Sequence, residues 1–209
     1  MDYFRKIVSE VHSRGLEPQI ARRLAEFKAF RRKSGSDLFP ELCYCLMTAN
    51  ARADAAWRTQ KKCSNELACF PASRLAKTLL ANKVRFHNTK AKRVCEARRL
   101  APTLRKTVYS FKSGCKAREW LVENVKGIGW KEASHFLRNV GFEDVAIIDR
   151  HVLRLLKQSR LISKAPATLD EKNYLTLERV LEKEARRLRM TLAELDLFLW
   201  SHETGVVLK

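Results

Sequence analysis

Breaks in helical periodicity are rare along this chain, and that scarcity constrains the fold more than any other feature. Only seven glycines and five prolines occur in 209 residues, and few segments alternate apolar with polar side chains as a half-buried strand does. Apolar residues recur instead every three or four positions, for example Ile20, Leu24 and Phe27, which is the spacing of an amphipathic helix. The sequence therefore predicts an all-α fold of about ten helices.

The length and the apolar content limit the number of domains. With 45% hydrophobic residues, a chain of 209 residues can bury one sizeable core but not several independent ones. We predict a single domain over residues 1–209, either one compact unit or two small lobes that share a cleft. No repeat or long linker divides the sequence, and residues 82–85 are the candidate hinge between lobes.

The charge of the chain predicts a polyanionic partner. Lysine and arginine total 42 against 23 acidic residues, which gives a formal net charge of +19, and the excess is spread along the whole sequence. Such a surface repels itself and is tolerated when a polyanion neutralises it. Nucleic acid is preferred over an acidic membrane face or an acidic protein. No apolar run approaches the ~18 residues of a membrane span, so we expect an intracellular protein that does not bind a membrane.

The six cysteines predict neither a disulfide framework nor a metal site. Their spacing contains no CxxC pair and no cluster of four cysteines that could hold zinc or an iron–sulfur centre. In an intracellular setting we interpret them as free thiols that mostly pack as small apolar side chains. A bridge between Cys63 and Cys69 is the alternative.

Residues 125–141, with the sequence VKGIGWKEASHFLRNVG, carry the most specific pattern in the chain. Gly127 and Gly129 flank one apolar residue in a tight turn between two helical segments, and Gly141 ends the second segment. We predict a helix-hairpin-helix motif over about residues 116–141. Glycine amides and the positive end of the second helix can bind a phosphate, so Gly127 and Gly129 are candidate phosphate ligands. The alternative is an ordinary turn between helices.

Lys131 occupies the first turn of the second predicted helix, where a cation is unfavourable. The helix dipole there disfavours the ammonium form, and a free amine is what a nucleophilic lysine needs. Lys131 is therefore a candidate nucleophile. The alternative is a solvated lysine, or one that contacts phosphate, among 42 basic residues.

Asp149 follows a short apolar segment and precedes the helical stripe formed by Val152, Leu155 and Leu156. Aspartate is a preferred N-cap, and capping alone explains its position. Near an amine nucleophile, the same carboxylate could also accept the proton of the amine and stabilise positive charge that develops on a sugar. Arg150, the next residue, is a candidate phosphate contact.

Residues 125–156 resemble the helix-hairpin-helix DNA glycosylase superfamily, which combines this hairpin with a lysine and a downstream aspartate. The segments GIGWKEASHFLRN and IDRHV are similar to the type-2, archaeal-type branch of 8-oxoguanine DNA glycosylase/DNA lyases, as are residues 84–92 and the last lysine. The superfamily often has Gly-Pro before the aspartate, where this chain has two isoleucines. The iron–sulfur cysteines of relatives that excise thymine glycol or adenine have no counterpart after Asp149.

The resemblance implies two helical subdomains that flank a DNA-binding cleft, and a bifunctional base-excision repair activity. Lys131 would attack C1′, expel 8-oxoguanine and form a Schiff base, with Asp149 as its carboxylate partner, and β-elimination would nick the strand. No cofactor would be required, although a monovalent cation at the hairpin is compatible with such families. The partner would be double-stranded DNA containing a damaged purine, bound by a monomer that associates with the nucleoid.

The same resemblance points to residues that would hold the flipped base. Phe86 and Trp200 are candidate stacking surfaces, and Lys209, the last residue of the sequence, would help to recognise the oxidised base. Packing in the core is the alternative for both aromatic residues, and an inert tail is the alternative for Lys209. Two other functions stay open: the same chemistry on another damaged base, and a helix-hairpin-helix module that binds DNA without cleaving it.

Overall fold

The computed structural model describes residues 2–32 and 38–209, and the regular elements in those two segments are all helical. Thirteen α-helices lie in this described part: α1 (Tyr3–Ser13), α2 (Glu17–Ala29), α3 (Leu38–Thr48), α4 (Ala53–Lys62), α5 (Ser64–Cys69), α6 (Ala72–Ala81), α7 (His87–Ala97), α8 (Leu104–Ser110), α9 (Gly114–Asn124), α10 (Trp130–Asn139), α11 (Arg150–Gln158), α12 (Glu171–Leu188) and α13 (Leu192–Thr204). None of these helices is long and apolar enough to cross a membrane. The predicted all-α fold is confirmed.

The described residues form two compact units. The first unit contains the residues up to Ala29 together with Leu137–Lys209, and the second runs from Phe30 to Phe136. The chain therefore passes between the units at the end of α2 and again within α10. Residues 82–85, the predicted hinge, lie inside the second unit, where they belong to the turn between α6 and α7.

The first unit is built around α13, which packs against α1, α2, α11 and α12. Most residues of α13 are buried, and its Leu197 and Phe198 share a core with Val11, Ile20 and Phe27. A helix that is covered on nearly all sides has to be apolar on nearly all sides, which is why the sequence of α13 shows little amphipathic periodicity.

A buried ion pair and a close backbone contact anchor the end of α10 in the first unit. Arg138 pairs with Asp196 of α13, and its guanidinium lies 5.1 Å from the ring centroid of Phe27. Gly141 follows α10 in a left-handed conformation, with a φ of +92°. A Cβ atom at this glycine would lie 2.9 Å from the carbonyl oxygen of Phe27, so the backbone of α2 leaves no room for a side chain.

The second unit has α3 at its centre, packed against α4, α5, α7 and α8. All residues of α3 except Pro40 are buried, in keeping with its continuously apolar sequence. Its one carboxylate, Glu41, accepts a hydrogen bond from the Gln60 amide at 3.0 Å, which compensates for part of the cost of burial. α7 contacts α3, α5 and α6, so its buried face lies in the middle of the unit.

All six cysteines are free thiols, so the alternative of a bridge between Cys63 and Cys69 is wrong. Cys43, Cys45 and Cys63 are buried, as predicted for small apolar side chains, whereas Cys69 is exposed. Burial raises the pKa of the Cys43 thiol and keeps it protonated. Within residues 2–32 and 38–209, no group of three or more histidine, cysteine, aspartate or glutamate residues could hold a metal ion.

Replacing Gly141 by alanine should lower the free energy of unfolding by about 3 kcal/mol, since the new Cβ atom adds a backbone clash to the strain of a left-handed conformation. Gly15 is the matched control: its φ of +66° is also left-handed, but no atom lies within 4 Å of a Cβ atom placed there. Gly15→Ala should lower the free energy of unfolding by about 1 kcal/mol. Denaturant unfolding of both variants measures the difference, and equal losses would show that the contact with Phe27 contributes nothing.

Candidate active site and DNA-binding hairpin

α9 and α10 form the helix-hairpin-helix motif that the glycine spacing predicts. Between them, Gly127 is exposed and adopts a left-handed φ of +92° that reverses the chain. Ile128 is buried, and its amide donates a hydrogen bond to the Val125 carbonyl at 3.2 Å. α10 then begins with a hydrogen bond from the Ala133 amide to the Gly129 carbonyl at 2.9 Å. The positive end of α10 therefore follows directly after an exposed glycine turn, while phosphate binding by the two glycines stays a prediction.

Two arginines of the second unit support this hairpin. Arg118 of α9 is fully buried, donates a hydrogen bond to Ser134 at 3.1 Å, and lies 5.0 Å from the ring centroid of Trp130. The Cγ and Cδ atoms of Arg93, from α7, would lie 3.1 Å from a Cβ atom at Gly127. One arginine thus joins α9 to the start of α10, and the other covers the turn between them.

Lys131 is the second residue of α10, as the sequence predicts, and its side chain is 29% exposed. Its Nζ atom lies 3.6 Å from Oε1 of Glu132, whose side chain is largely buried. The amine of Lys131 therefore lies at the positive end of α10, close to one carboxylate. The role of Lys131 as a nucleophile stays a prediction.

Lys90 of α7 interacts electrostatically with this pair, and the sequence analysis did not single it out. Only 5% of Lys90 is exposed, and its Nζ atom donates a hydrogen bond to the Met47 carbonyl at 2.6 Å. Burial is the main cause that lowers the pKa of Lys90 to about 8. Arg85 also lowers this pKa, Glu132 raises it, and Lys131 lowers it.

Phe86 lies immediately before α7 and is 55% exposed, so the alternative of a core residue is wrong. Its φ of +56° is left-handed, which is uncommon for a bulky side chain, and Lys83 in the same turn has a φ of +61°. The guanidinium of Arg85 lies 5.3 Å from the centroid of the Phe86 ring. A strained, exposed aromatic residue next to a cation fits a surface that stacks against a base, and this role stays a prediction.

In the first unit, Asp149 is the N-cap of α11. Its Oδ1 atom accepts hydrogen bonds from the amides of His151 and Val152, at 2.8 and 3.0 Å. The capping interpretation is confirmed, and both bonds use the same carboxylate oxygen. Arg150 is exposed as the first residue of α11, and its Nε atom donates to Nε2 of His151 at 3.4 Å. The roles of Asp149 in proton transfer and of Arg150 in phosphate binding stay predictions.

Trp200 of α13 lies beside a network of charged side chains. The ring of His151 meets it edge-on, with the centroids 5.6 Å apart, and Nδ1 of His151 lies 3.3 Å from Oε2 of Glu203. Glu203 also pairs with Arg154. The indole Nε1 atom of Trp200 is buried and has no hydrogen-bond partner among the described residues. An unsatisfied donor is unfavourable in a core, so it suits a side chain that gains a partner when a ligand binds.

The tail after α13 is held against the first unit. Gly205 ends α13 with a φ of +74°, and Val207 packs against the core cluster that includes Val11 and Phe198. Lys209, two residues later, is partly exposed. Val207 therefore gives the tail an anchor, while a role for Lys209 in recognising a base stays a prediction.

The predicted site residues divide between the two units. Those of the second unit are the candidate nucleophile, the hairpin glycines and the exposed aromatic residue: Lys131, Gly127, Gly129 and Phe86. Those of the first unit are the capping carboxylate, the exposed arginine, the indole and the end of the tail: Asp149, Arg150, Trp200 and Lys209.

Comparison with known proteins gives consistent matches over nearly the whole chain. Residues 20–190 match the family described as 8-oxoguanine DNA glycosylase. The chain is 42% identical to the 8-oxoguanine DNA glycosylase/AP lyase of Methanocaldococcus jannaschii over 98% of each protein. It is 44% identical to the protein of that name from Korarchaeum cryptofilum, over 91% of this chain and 90% of the relative. A crystal structure of the M. jannaschii 8-oxoguanine glycosylase/lyase with a 15mer DNA containing 8-oxoguanine matches with a TM-score of 0.93 and 41% identity, over 98% of each chain.

Proposed function

The chain belongs to the 8-oxoguanine DNA glycosylase family, and from this membership we propose that it excises 8-oxoguanine from double-stranded DNA and then cleaves the strand. The proposal depends most on Lys131, which lies in the first turn of α10. The relatives of this chain are named glycosylase/AP lyases. An amine that displaces the base stays bonded to the sugar and can serve both steps. Duplexes with different damaged bases test the substrate, and preferred excision of another lesion would contradict it.

The first step exchanges one bond of C1′ for another. The lone pair of Lys131 Nζ attacks C1′ of the damaged nucleotide, the bond from C1′ to N9 breaks, and its electrons leave with the base, which takes up a proton. Asp149 accepts the proton that the amine loses, and its negative charge stabilises positive charge on the sugar. Opening of the sugar ring then gives a Schiff base between Nζ and C1′.

The Schiff base allows β-elimination. The positive iminium group acidifies the hydrogens on C2′, and loss of one of them leaves an electron pair that forms a double bond between C2′ and C3′. The bond from C3′ to oxygen breaks, the phosphate leaves, and water later hydrolyses the Schiff base to return Lys131. The chain supplies the amine and the proton acceptor, so we propose a reaction without a required cofactor; a monovalent cation at the hairpin is compatible with it.

DNA binding in this proposal has two components. The amides of Gly127 and Gly129 and the guanidinium of Arg150 contact phosphates, and the net charge of +19 strengthens the attraction. Phe86 and Trp200 stack against the extruded purine. 8-Oxoguanine has an N7–H donor that guanine lacks, so an acceptor directed at N7 would discriminate against guanine. We propose that the protein acts as a monomer on nucleoid DNA, without a membrane partner.

Lys131→Gln should abolish strand cleavage and borohydride trapping on an abasic duplex, because no amine is left to form the Schiff base. Duplex affinity should stay within about tenfold, since one of many basic contacts is lost. Lys172→Gln, which removes an exposed lysine of α12, is the matched control and should keep both activities. Trapping that persists in Lys131→Gln would contradict the assignment of Lys131 as the nucleophile. A wild-type protein that is never trapped would indicate a module that binds DNA without cleaving it.

Asp149→Asn should lower the single-turnover rate at least ~10²-fold, since the charge that accepts a proton is lost. Asparagine caps helices as well as aspartate, so the free energy of unfolding should hardly change. Asp149→Ala should in addition lose about 1 kcal/mol of stability, because the amides of His151 and Val152 lose their acceptor. Denaturant unfolding and rate measurements on both variants separate the two roles; a near-normal rate in Asp149→Asn would reduce Asp149 to a cap.

Deletion of Lys209 should lower excision of 8-oxoguanine about tenfold or more, on the order of 1.4 kcal/mol. Cleavage at a preformed abasic site should stay nearly unchanged, since Lys131 and Asp149 are still present. Lys209→Ala removes only the side-chain ammonium, so it tests that group separately. Single-turnover assays on the two substrates measure both activities. A deletion variant that excises 8-oxoguanine at the parental rate would leave recognition to Phe86 and Trp200.

A further inference from the structure

The segment that leads to Asp149 is buried but is neither helix nor strand. Residues 145–148 follow one another without regular secondary structure, and all four are buried. Buried backbone amides and carbonyls need hydrogen-bond partners, and an irregular segment does not supply them to itself as a helix does. The partners of this segment therefore have to come from other elements of the first unit.

Two side chains of α12 supply such partners. The Tyr174 hydroxyl accepts a hydrogen bond from the Ile148 amide at 3.1 Å and donates one to the Ala146 carbonyl at 2.7 Å. Oε1 of Glu178 accepts a hydrogen bond from the Ala146 amide at 2.8 Å. Tyr174 and Glu178 are four residues apart, so they lie on the same face of α12. Three hydrogen bonds thus tie residues 146–148 to one helix.

Packing alone does not require these two polar groups. Tyr174 is fully buried and Glu178 is 7% exposed. A phenylalanine would fill nearly the same space as Tyr174 without a hydroxyl group to satisfy, and a buried carboxylate is unfavourable unless it is hydrogen-bonded. Polar groups that are costly to bury are retained where they fix a particular conformation, and here they fix the segment directly before Asp149.

Hydrogen bonds also hold Asp149 from the other side. Its Oδ1 atom accepts the amides of His151 and Val152, at 2.8 and 3.0 Å, in the cap of α11. At the start of the same connection, the Glu143 carbonyl accepts a hydrogen bond from the Leu192 amide of α13 at 3.1 Å. The main chain on both sides of Asp149 is therefore fixed within the first unit.

We propose that Tyr174 is a positioning residue for the reaction, whose hydroxyl group fixes the main chain before Asp149 and so holds the carboxylate where it can accept a proton. This rests on the function proposed above, because it takes Asp149 as the proton acceptor. Proton transfer requires hydrogen-bond distance, and a displacement of about 1 Å can lower a rate ~10²-fold. Glu178 supports the same segment through the Ala146 amide.

Single-turnover cleavage of a duplex with a preformed abasic site tests this proposal. Tyr174→Phe removes only the hydroxyl group, and the rate should fall about tenfold, because Asp149 is no longer held at its best distance. Excision of 8-oxoguanine should fall by the same factor, while duplex affinity stays within about twofold. Tyr3→Phe is the matched control: it removes a hydroxyl that donates to Gln158 at the other end of α11, and it should keep the parental rate.

The Asp149→Asn background separates positioning from structural support. If the hydroxyl acts through the carboxylate, Tyr174→Phe should lower the rate about tenfold in the parent and less than about twofold in Asp149→Asn. A hydroxyl that only stabilises the fold would lower the rate by the same factor in both backgrounds. Equal factors, or a parental rate in Tyr174→Phe, would overturn the proposal.

Amide hydrogen exchange tests the position of the segment without an activity. In Tyr174→Phe, exchange of the Ile148 amide should accelerate at least about tenfold relative to the Leu195 amide, which bonds to the Thr191 carbonyl in α13. An unchanged ratio would mean that the hydroxyl supports the whole unit equally, and it would overturn the proposal. If Tyr174→Phe does not fold, Glu178→Met takes its place in both measurements, with the ratio taken at the Ala146 amide, and the same outcomes decide.

Failure of the proposed function gives a different result. A wild-type protein that does not cleave the abasic duplex, or an Asp149→Asn variant with a near-normal rate, would overturn the proposed role of Asp149 together with this inference. A wild-type protein that cleaves, a slow Asp149→Asn variant and a Tyr174→Phe variant at the parental rate would overturn the inference alone.

Discussion

The position of Lys131 depends on the backbone conformation of one glycine. Gly127 takes a left-handed conformation that lets the chain turn from α9 into α10, and the side chain of Arg93 occupies the space beside it. Arg118, buried in α9, reaches the ring of Trp130 at the first position of α10. Because the start of α10 is fixed in this way, Lys131 lies in the first helical turn, partly exposed and at the positive end of the helix.

Two opposite charges lie close together at the start of α10. Nζ of Lys131 lies 3.6 Å from Oε1 of Glu132, whose side chain is largely buried, and the side chain of Lys131 is 29% exposed. Lys90 of α7 is a buried cation in the same unit. A buried cation is unfavourable for folding, and the hydrogen bond from Lys90 to the Met47 carbonyl offsets part of that cost.

Sequence patterns predicted the features that depend on nearby residues and missed those that depend on distant ones. The hairpin, the place of Lys131 and the cap formed by Asp149 follow from local spacing. The sequence predicted about ten helices, whereas the described residues form thirteen α-helices. Short helices such as α5 and α8 are difficult to predict because six or seven residues hardly repeat an apolar spacing. The burial of Lys90 depends on the end of α3. The exposure of Phe86 depends on which residues pack beside α7. The limits of the two units likewise arise from long-range contacts. The local composition of residues 82–85, the predicted hinge, contains no information on those contacts.

A covalent bond between Lys131 and DNA is the step on which the proposed mechanism depends most. Reduction of the reaction with borohydride converts the Schiff base into a stable amine, and proteolysis followed by mass spectrometry then identifies the modified residue. We expect one adduct, on Nζ of Lys131, and none on Lys90. An adduct on another lysine or on the N-terminal amine, or cleaved DNA without any adduct, would contradict the mechanism.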